Sequence, residues 1–189
     1  MRFVSIAAIV AALAGPVAAD DFAPVLSEYL ETEIRGWAND PILIAAIRAQ
    51  NARHTGISAA EIDDLDRAWR AEVGQADTPT ITPVINNSAA DFLRAQVEAA
   101  GGTISEVFVM DEHGLNVAAS APTSDMWQGD EAKFTETFPK GPNATHFGDV
   151  EFDESSQTFQ GQISIPIVDS ATGEVVGAMT IGVNAEALM

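Results

Sequence analysis

The chain contains no cysteine and few positive charges. Its 189 residues include nine lysine and arginine residues against 28 aspartate and glutamate residues, giving a formal net charge of −19 at pH 7. Without cysteine there is no disulfide, thiol nucleophile or thiolate metal ligand, so packing alone must hold the fold. Such an acidic surface repels phosphate backbones and anionic lipid heads, which argues against binding to nucleic acid or to a membrane surface.

Sequence motifs typical of catalysis and of metal binding are also missing. The chain has no G-x-S-x-G, S-x-x-K or phosphate-cradling glycine loop, and its three histidines form no H-x-x-x-H pair. Paired carboxylates are frequent only because acidic residues are frequent. We therefore expect a protein that is not an enzyme, with no cofactor and no bound metal.

No apolar run reaches the eighteen residues that a membrane span needs. The first nineteen residues, MRFVSIAAIVAALAGPVAA, combine one positive charge at Arg2, a short apolar run and small residues before Asp20. This pattern is typical of a cleavable secretory signal peptide. We therefore predict a signal peptide over residues 1–19 and one domain over 20–189, which is periplasmic or secreted and has no membrane anchor.

Helical spacing dominates the first half of the chain. Apolar residues recur at helical intervals over residues 22–51, which predicts one long amphipathic helix or two pieces bent near Pro41. Ser58 and Glu61 form an S-x-x-E capping box that opens another helix. A further helix is predicted over residues 89–99, ahead of two consecutive glycines.

After those glycines the pattern changes to strands. Five segments alternate apolar and polar residues or are rich in β-branched residues: TISEVFVMD, LNVAASA, HFGDVEFDES, TFQGQISIPIVD and EVVGAMTIGVN. The connection DEHG between the first two is a tight hairpin turn. Short links favour antiparallel pairing, so the order of helices first and sheet second predicts an α+β fold with helices on one face of an antiparallel sheet.

Two stretches of the chain, which together span four of these segments, carry a family resemblance. The stretch VFVMDEHGLNVAAS and the closing GQISIPIVDSATGEVVGAMTIGVN, with a long N-terminal helix before them, resemble a Cache domain, the extracytoplasmic PAS-like sensor module. The resemblance covers residues 22–184. It implies a small ligand bound between the sheet and an overlying helix and loop layer. Cache modules usually sit between two membrane helices of a receptor, so a chain with no anchor is expected to be free-standing and to signal through a separate partner.

The segment SAPTSDMWQGDEAKF is the candidate binding loop, because the resemblance implies that the segment after the second strand covers the ligand. Trp127 would form a wall, Asp125 and Asp130 would accept hydrogen bonds, and Lys133 would pair with an anionic group. A different interpretation is that Ser124 or Asp125 caps a helix over residues 129–138, with Trp127 as a hydrophobic anchor.

The opposite wall is expected on the late strands. In FQGQISIPIVD the residues Gln160, Gln162 and Ser164 share one face, while the isoleucines share the other. A polar row of this kind is also typical of a solvent face. The candidate ligand-binding residues are Ser120, Asp125, Trp127, Asp130, Lys133, Gln162 and Ser164. His146 follows the loop and is expected to be a structural or surface residue.

The predicted function is an exported sensor module that binds a small polar metabolite and signals to a membrane receptor or sensor kinase. The alternative is a ligand-free interaction or scaffold module. It would act through the apolar stripe of Leu26, Leu30, Ile34 and Trp37 on the N-terminal helix, which would pair with a receptor or, in a homodimer, with itself. An acidic hydrolase that uses Asp125 or Asp130 ranks last.

Overall fold

The structure is a computed structural model that describes residues 19–153 and 158–188, with side chains over 22–150 and 159–188. Residues 1–18, nearly all of the predicted signal peptide, lie outside the described residues. The helices are α1 (Ala19–Tyr29), a π-helical segment (Leu30–Ile34), α2 (Arg35–Ala38), α3 (Pro41–Arg53), α4 (Ala59–Glu72), α5 (Thr82–Ile85), α6 (Ser88–Ala99) and α7 (Ala132–Thr135), with 3₁₀ turns at Phe138–Lys140 and Ala185–Leu188. None of the helices in the described ranges combines the length and the hydropathy that crossing a bilayer requires.

The strands form one five-stranded sheet. They are β1 (Ile104–Met110), β2 (Asn116–Ala119), β3 (His146–Asp153), β4 (Thr158–Asp169) and β5 (Glu174–Asn184). Their order across the sheet is β2-β1-β5-β4-β3, and every neighbouring pair is antiparallel. The helix-then-sheet order and this five-stranded sheet confirm the α+β, PAS-like fold that the resemblance to the Cache family predicted.

The helix boundaries follow the capping residues read from the sequence. The backbone N–H of Ser58 donates to Glu61 Oε2 at 2.9 Å, and the N–H of Glu61 donates to Ser58 Oγ at 3.3 Å, which is the predicted capping box at the start of α4. The hydrogen bonds from Ser58 lower the pKa of Glu61. Asp40 Oδ1 accepts from the N–H of Ile42, and Pro41 opens α3, so the N-terminal helix is interrupted near Pro41, as the second of the two alternatives predicted.

The π-helical segment keeps one apolar stripe of the N-terminal helix on one side. Leu26, Leu30, Ile34 and Ala38 are all buried and are spaced four residues apart. In an α-helix a step of four residues turns about 40° past a full turn, so three such steps would rotate the stripe by about 120°. The wider π turn, in which the N–H of Arg35 donates to the carbonyl of Leu30, absorbs part of that rotation.

This stripe packs on the face of the sheet that we call the helix face. Ile163, Ile165 and Ile167 of β4 point to it and are buried against residues of α1, α3 and α6. Burial of one such side chain contributes about 1.5–3 kcal/mol. The opposite face, called the loop face, is covered by α4, α5 and the segment from residue 120 to residue 145, with Trp69 of α4 fully buried.

Candidate functional site

The strand register places a row of residues across the loop face. Cα pairing sets His146 opposite Ser164, Ser164 opposite Thr180, and Thr180 opposite Phe108. Directly paired residues in an antiparallel sheet point to the same face, so these four side chains lie side by side. We call His146, Ser164, Thr180 and Phe108 the central row.

Two buried hydroxyl groups stand in the middle of the central row. Ser164 and Thr180 are both 0% exposed, and their hydroxyl oxygens are 3.0 Å apart, within hydrogen-bond distance. Two hydroxyls carry two protons, but one hydrogen bond uses only one of them. The other O–H has no acceptor among the described residues. A buried donor without a partner costs about 1–3 kcal/mol, so an acceptor at this point of the loop face would be stabilising.

Lys133 brings a positive charge beside the central row. Its Nζ lies 5.6 Å from the centroid of the Phe108 ring, a cation–π distance. The same ammonium donates to Gln128 Oε1 at 3.2 Å and pairs with Glu131 Oε2 at 3.0 Å. Its side chain is only 15% exposed, in contrast to 53% for Lys140, the other lysine of the chain. A largely buried ammonium beside an aromatic ring is suited to contact an electron-rich ligand group.

The candidate loop is fastened to the β1–β2 hairpin through Trp127. The indole N–H donates to the carbonyl of His113 at 2.9 Å, and Trp127 pairs with Leu115 in an isolated antiparallel bridge. Gly114, at φ +80°, and Gly129 approach so closely that a Cβ on Gly114 would lie 2.5 Å from the Cα of Gly129. Trp127 therefore anchors the loop, which agrees with the second interpretation of this residue.

Asp125 is held from the side of α4. Its Oδ2 accepts from Arg70 Nη2 at 3.1 Å, its Oδ1 accepts from Gln128 Nε2, and its carbonyl accepts from Asn116 Nδ2 at 2.9 Å. Arg70 also donates from Nε to Asp66 Oδ2 at 2.7 Å. The hydrogen bond to Asp66, together with the nearby charges of Asp66, Asp125 and Asp130, raises the pKa of Arg70.

The interpretation of Asp125 as a helix cap is wrong. The helix that follows is α7, which begins at Ala132, and Glu131 is its N-cap residue without a side-chain capping bond. The helix predicted over residues 129–138 is thus reduced to four residues and a separate 3₁₀ turn. Arg70 and Gln128 bind the Asp125 carboxylate instead, because a charged partner offers a stronger hydrogen bond than an exposed backbone N–H.

The structure brings together only part of the predicted site. Lys133 and Ser164 both lie at the central row, and Gln162 lies in the neighbouring row between Gly148 and Gly182. Ser120 lies at the far edge of the sheet, where its Oγ accepts from the N–H of Val107 at 3.0 Å. Asp125 and Trp127 contact α4 and the hairpin, and Asp130 is exposed.

Among the three polar residues of the central row, two were not among the predicted site residues. Thr180 lies between apolar residues in EVVGAMTIGVN. A single polar residue in such an apolar strand is the feature of the sequence that could have identified it as a site residue. His146 was expected to be a structural or surface residue. Both belong to the row because of the register between strands, which one sequence does not contain. Among the described residues no group of histidines and carboxylates is arranged to hold a metal ion.

A separate cleft of about 250 Å³ lies between α3, the hairpin and the start of β5. Arg48 at its edge donates to Asp169 and Glu174, each at 2.9 Å. Asn51 donates to the carbonyl of Val176 at 2.8 Å and accepts from the N–H of Glu112 at 3.0 Å. These contacts tie α3 to the two turns, so the polar groups of the cleft already have structural partners.

The chain is similar in fold to solved sensor domains. The sensor domain of the histidine kinase DctB from V. cholerae is 15% identical over 89% of this chain and 54% of its own length, with a TM-score of 0.47. The sensory domain of the Campylobacter jejuni chemoreceptor Tlp3 is 15% identical over 88% of this chain and 64% of its own, with a TM-score of 0.42.

The extracellular domain of rpHK1S-Z16 is 17% identical over 86% of this chain and 60% of its own, with a TM-score of 0.43. The chain therefore spans between about half and two thirds of the length of these solved chains. No family model matches the chain, and no curated protein matches it.

Proposed function

We propose that this protein is an exported sensor module that binds a small polar metabolite on the loop face, beneath the segment from α7 to the 3₁₀ turn at Phe138–Lys140. The observation that carries the proposal is the pair of buried hydroxyls, Ser164 and Thr180, one of whose protons finds no acceptor in the part of the chain that the structure describes. Buried polar groups in native proteins are almost always satisfied, and a bound ligand or an ordered water is a common means.

The ligand contacts follow from the groups at the central row. Ser164 and Thr180 supply a donor in the floor of the site, and Lys133 supplies a second donor from α7, so the ligand presents oxygen acceptors. Gln162 and His146 border the same area and set its edge. Among the other predicted residues, Asp125 and Trp127 position the loop, while Ser120 and Asp130 lie away from the central row and are left out of the proposed contact set.

Export and signalling are part of the proposal. The signal-peptide pattern of residues 1–19 supports export to the periplasm or the medium. The resemblance to the Cache family supports a membrane receptor or a sensor kinase as the partner that receives the signal.

A thermal-shift screen of small carboxylates, amines and amino acids tests the ligand site. A compound that binds only the folded state stabilises it by mass action, by about 2.7 kcal/mol at a hundredfold excess over its Kd. For such a compound we expect Ser164→Ala and Lys133→Met to reduce the shift strongly.

Lys140→Met is the matched control, because Lys140 is exposed and pairs only with Glu136 among the described residues. It should keep the full shift. The proposal is wrong if no compound stabilises the protein, or if the two site variants respond as Lys140→Met does.

The alternative of a scaffold acting through the N-terminal helix has less support. Leu26, Leu30 and Ile34 are each at most 1% exposed, because they pack on the chain's own sheet. Trp37 makes an edge-to-face contact with Phe92 at 6.3 Å. A partner of this helix would have to use its other, charged side.

A further inference from the structure

A continuous series of polar contacts joins helix α4 to Lys133. Asp66 Oδ2 accepts from Arg70 Nε at 2.7 Å, and Arg70 Nη2 donates to Asp125 Oδ2 at 3.1 Å. Gln128 Nε2 donates to Asp125 Oδ1, and Gln128 Oε1 accepts from Lys133 Nζ at 3.2 Å. We call these five residues the α4 relay.

We propose that Asp66 and Arg70 are positioning residues for Lys133, which act through the α4 relay and set where its ammonium stands beside the Phe108 ring. This role in binding rests on the proposed function, in which Lys133 contacts the ligand.

Asp66 is the fixed end of the α4 relay. It is one of the few buried charged residues, at 9% exposure, on a helix whose other carboxylates are mostly exposed. Its Oδ1 accepts from the backbone N–H groups of both Met126 and Trp127, each at 3.0 Å. One carboxylate therefore holds the loop with one oxygen and Arg70 with the other, and Trp69 of α4 adds a second tie to the loop by donating to the carbonyl of Thr123 at 2.8 Å.

Gln128 fixes which group of the α4 relay faces Lys133. It is 1% exposed, and its amide group is oriented by what it bonds, because Nε2 can only donate and Oε1 can only accept. Asp125, kept in place by Arg70, takes the Nε2 end, and this leaves the Oε1 end facing Lys133. Nε2 also donates to the backbone carbonyl of Asp125 at 3.2 Å. Loss of Arg70 frees the Asp125 carboxylate to turn, so Gln128 is then oriented by this longer bond alone and holds Lys133 less firmly.

Lys133 is thus held from two sides by groups of different kinds. Glu131 is a near neighbour in sequence whose side chain is 41% exposed, whereas Gln128 is buried and belongs to the α4 relay. Because the Glu131 carboxylate is partly exposed, solvent weakens its hold on the ammonium. The contact with buried Gln128 is therefore the one through which α4 acts on the position of the ammonium.

The experiment is acylation of lysine by a small amine-reactive ester, followed by peptide mass spectrometry. The chain has only two lysines, Lys133 and Lys140. The ratio of their labelling rates is measured within one molecule, so reagent and concentration cancel. We expect Lys133 to react more slowly than Lys140 in the native protein, because it is more buried.

Arg70→Gln should raise the Lys133 to Lys140 ratio about fivefold, the population change that loss of one hydrogen bond of ordinary strength produces. Asp66→Asn should do the same, since its amide oxygen still accepts from Met126 and Trp127 while its NH₂ group no longer accepts from Arg70. Gln128→Met, which removes the last contact directly, sets the upper limit.

Arg67→Gln is the matched control. Arg67 lies one turn earlier on α4 and pairs with Asp63 at 2.8 Å in the same i,i+4 arrangement, but both side chains are exposed. It should leave the ratio unchanged.

The inference is overturned if Arg70→Gln folds, by near-ultraviolet circular dichroism, and keeps the native ratio while Gln128→Met changes it. If Arg70→Gln does not fold, Asp66→Asn decides by the same criterion. Labelling uses no ligand, so the proposed function can fail in the thermal-shift screen while this inference stands, and the reverse.

Discussion

The two faces of the sheet are built by the same strands and differ in what they bury. On β4 the odd-numbered residues Ile163, Ile165 and Ile167 enter a continuous apolar core, whereas Ser164, between two of them in sequence, is equally buried but meets a hydroxyl. The helix face therefore gains stability from burial of apolar area. The loop face gives up part of that gain because it buries polar groups, a local departure from apolar packing that is expected where a fold carries a function.

The largest expected effect comes from the helix face. Ile165→Ala removes a side chain that is 1% exposed and leaves a cavity, so the free energy of unfolding should fall by about 2–5 kcal/mol. Ser164→Ala, one residue earlier and just as buried, should cost about 1 kcal/mol, the value of a hydrogen bond. Urea unfolding with fixed m-values measures both. Equal losses would mean that the loop face at Ser164 is ordinary core.

A smaller effect is expected when both hydroxyls are replaced together. The double variant Ser164→Ala with Thr180→Val removes the hydrogen bond and the unmatched donor at once, so its stability should lie within about 1 kcal/mol of the native protein. The thermal shift caused by a ligand should nevertheless be lost. A double variant that is as unstable as Ile165→Ala would show that these hydroxyls serve the fold rather than a ligand.

The smallest expected change in stability concerns the contact between Arg48 of α3 and Asp169 at the end of β4, and it depends on pH. The N–H of Ala171 and the guanidinium of Arg48 lower the pKa of Asp169 below its ordinary value of 3.8. A carboxyl group whose pKa is lower in the folded state adds stability that is complete above the ordinary value and is lost as the pH falls through the folded value.

Asp169→Asn should therefore be less stable than the native protein near neutral pH. The difference should shrink as the pH falls below about 3.8, the ordinary pKa of aspartate. Thermal melts over a pH series measure this difference in stability, and Asp63→Asn, at an exposed position, is measured in the same series as the control. A gap that stays constant down to the acid limit would contradict the assigned pKa direction.

The sequence predicted those features that depend on local order along the chain. The capping box of Ser58 and Glu61 marked the start of α4, and the alternation in β4 assigned Gln162 and Ser164 to the loop face correctly. Both features need only the neighbours within a few residues, because caps and strand alternation are local geometry.

The central row and the α4 relay depend on contacts between distant segments. Thr180 joins Ser164 through the register of β4 with β5, and Asp66 meets the loop sixty residues later in the chain. In a chain this acidic, one buried aspartate on a helix looks like its exposed neighbours. The error at Asp125 has the same origin, since Arg70 comes from another element and competes with the backbone for the carboxylate.

The π-helical segment at Leu30–Ile34 has a consequence for the outside of the molecule. The wider turn keeps the buried stripe aligned. It also shifts the angular positions of the exposed residues after Ile34 relative to those that a regular α-helix continuing from before Leu30 would give. A straight partner helix whose contact residues recur at one regular spacing would therefore match only one half of this helix. A partner that contacts both halves must itself change its repeat at the same level.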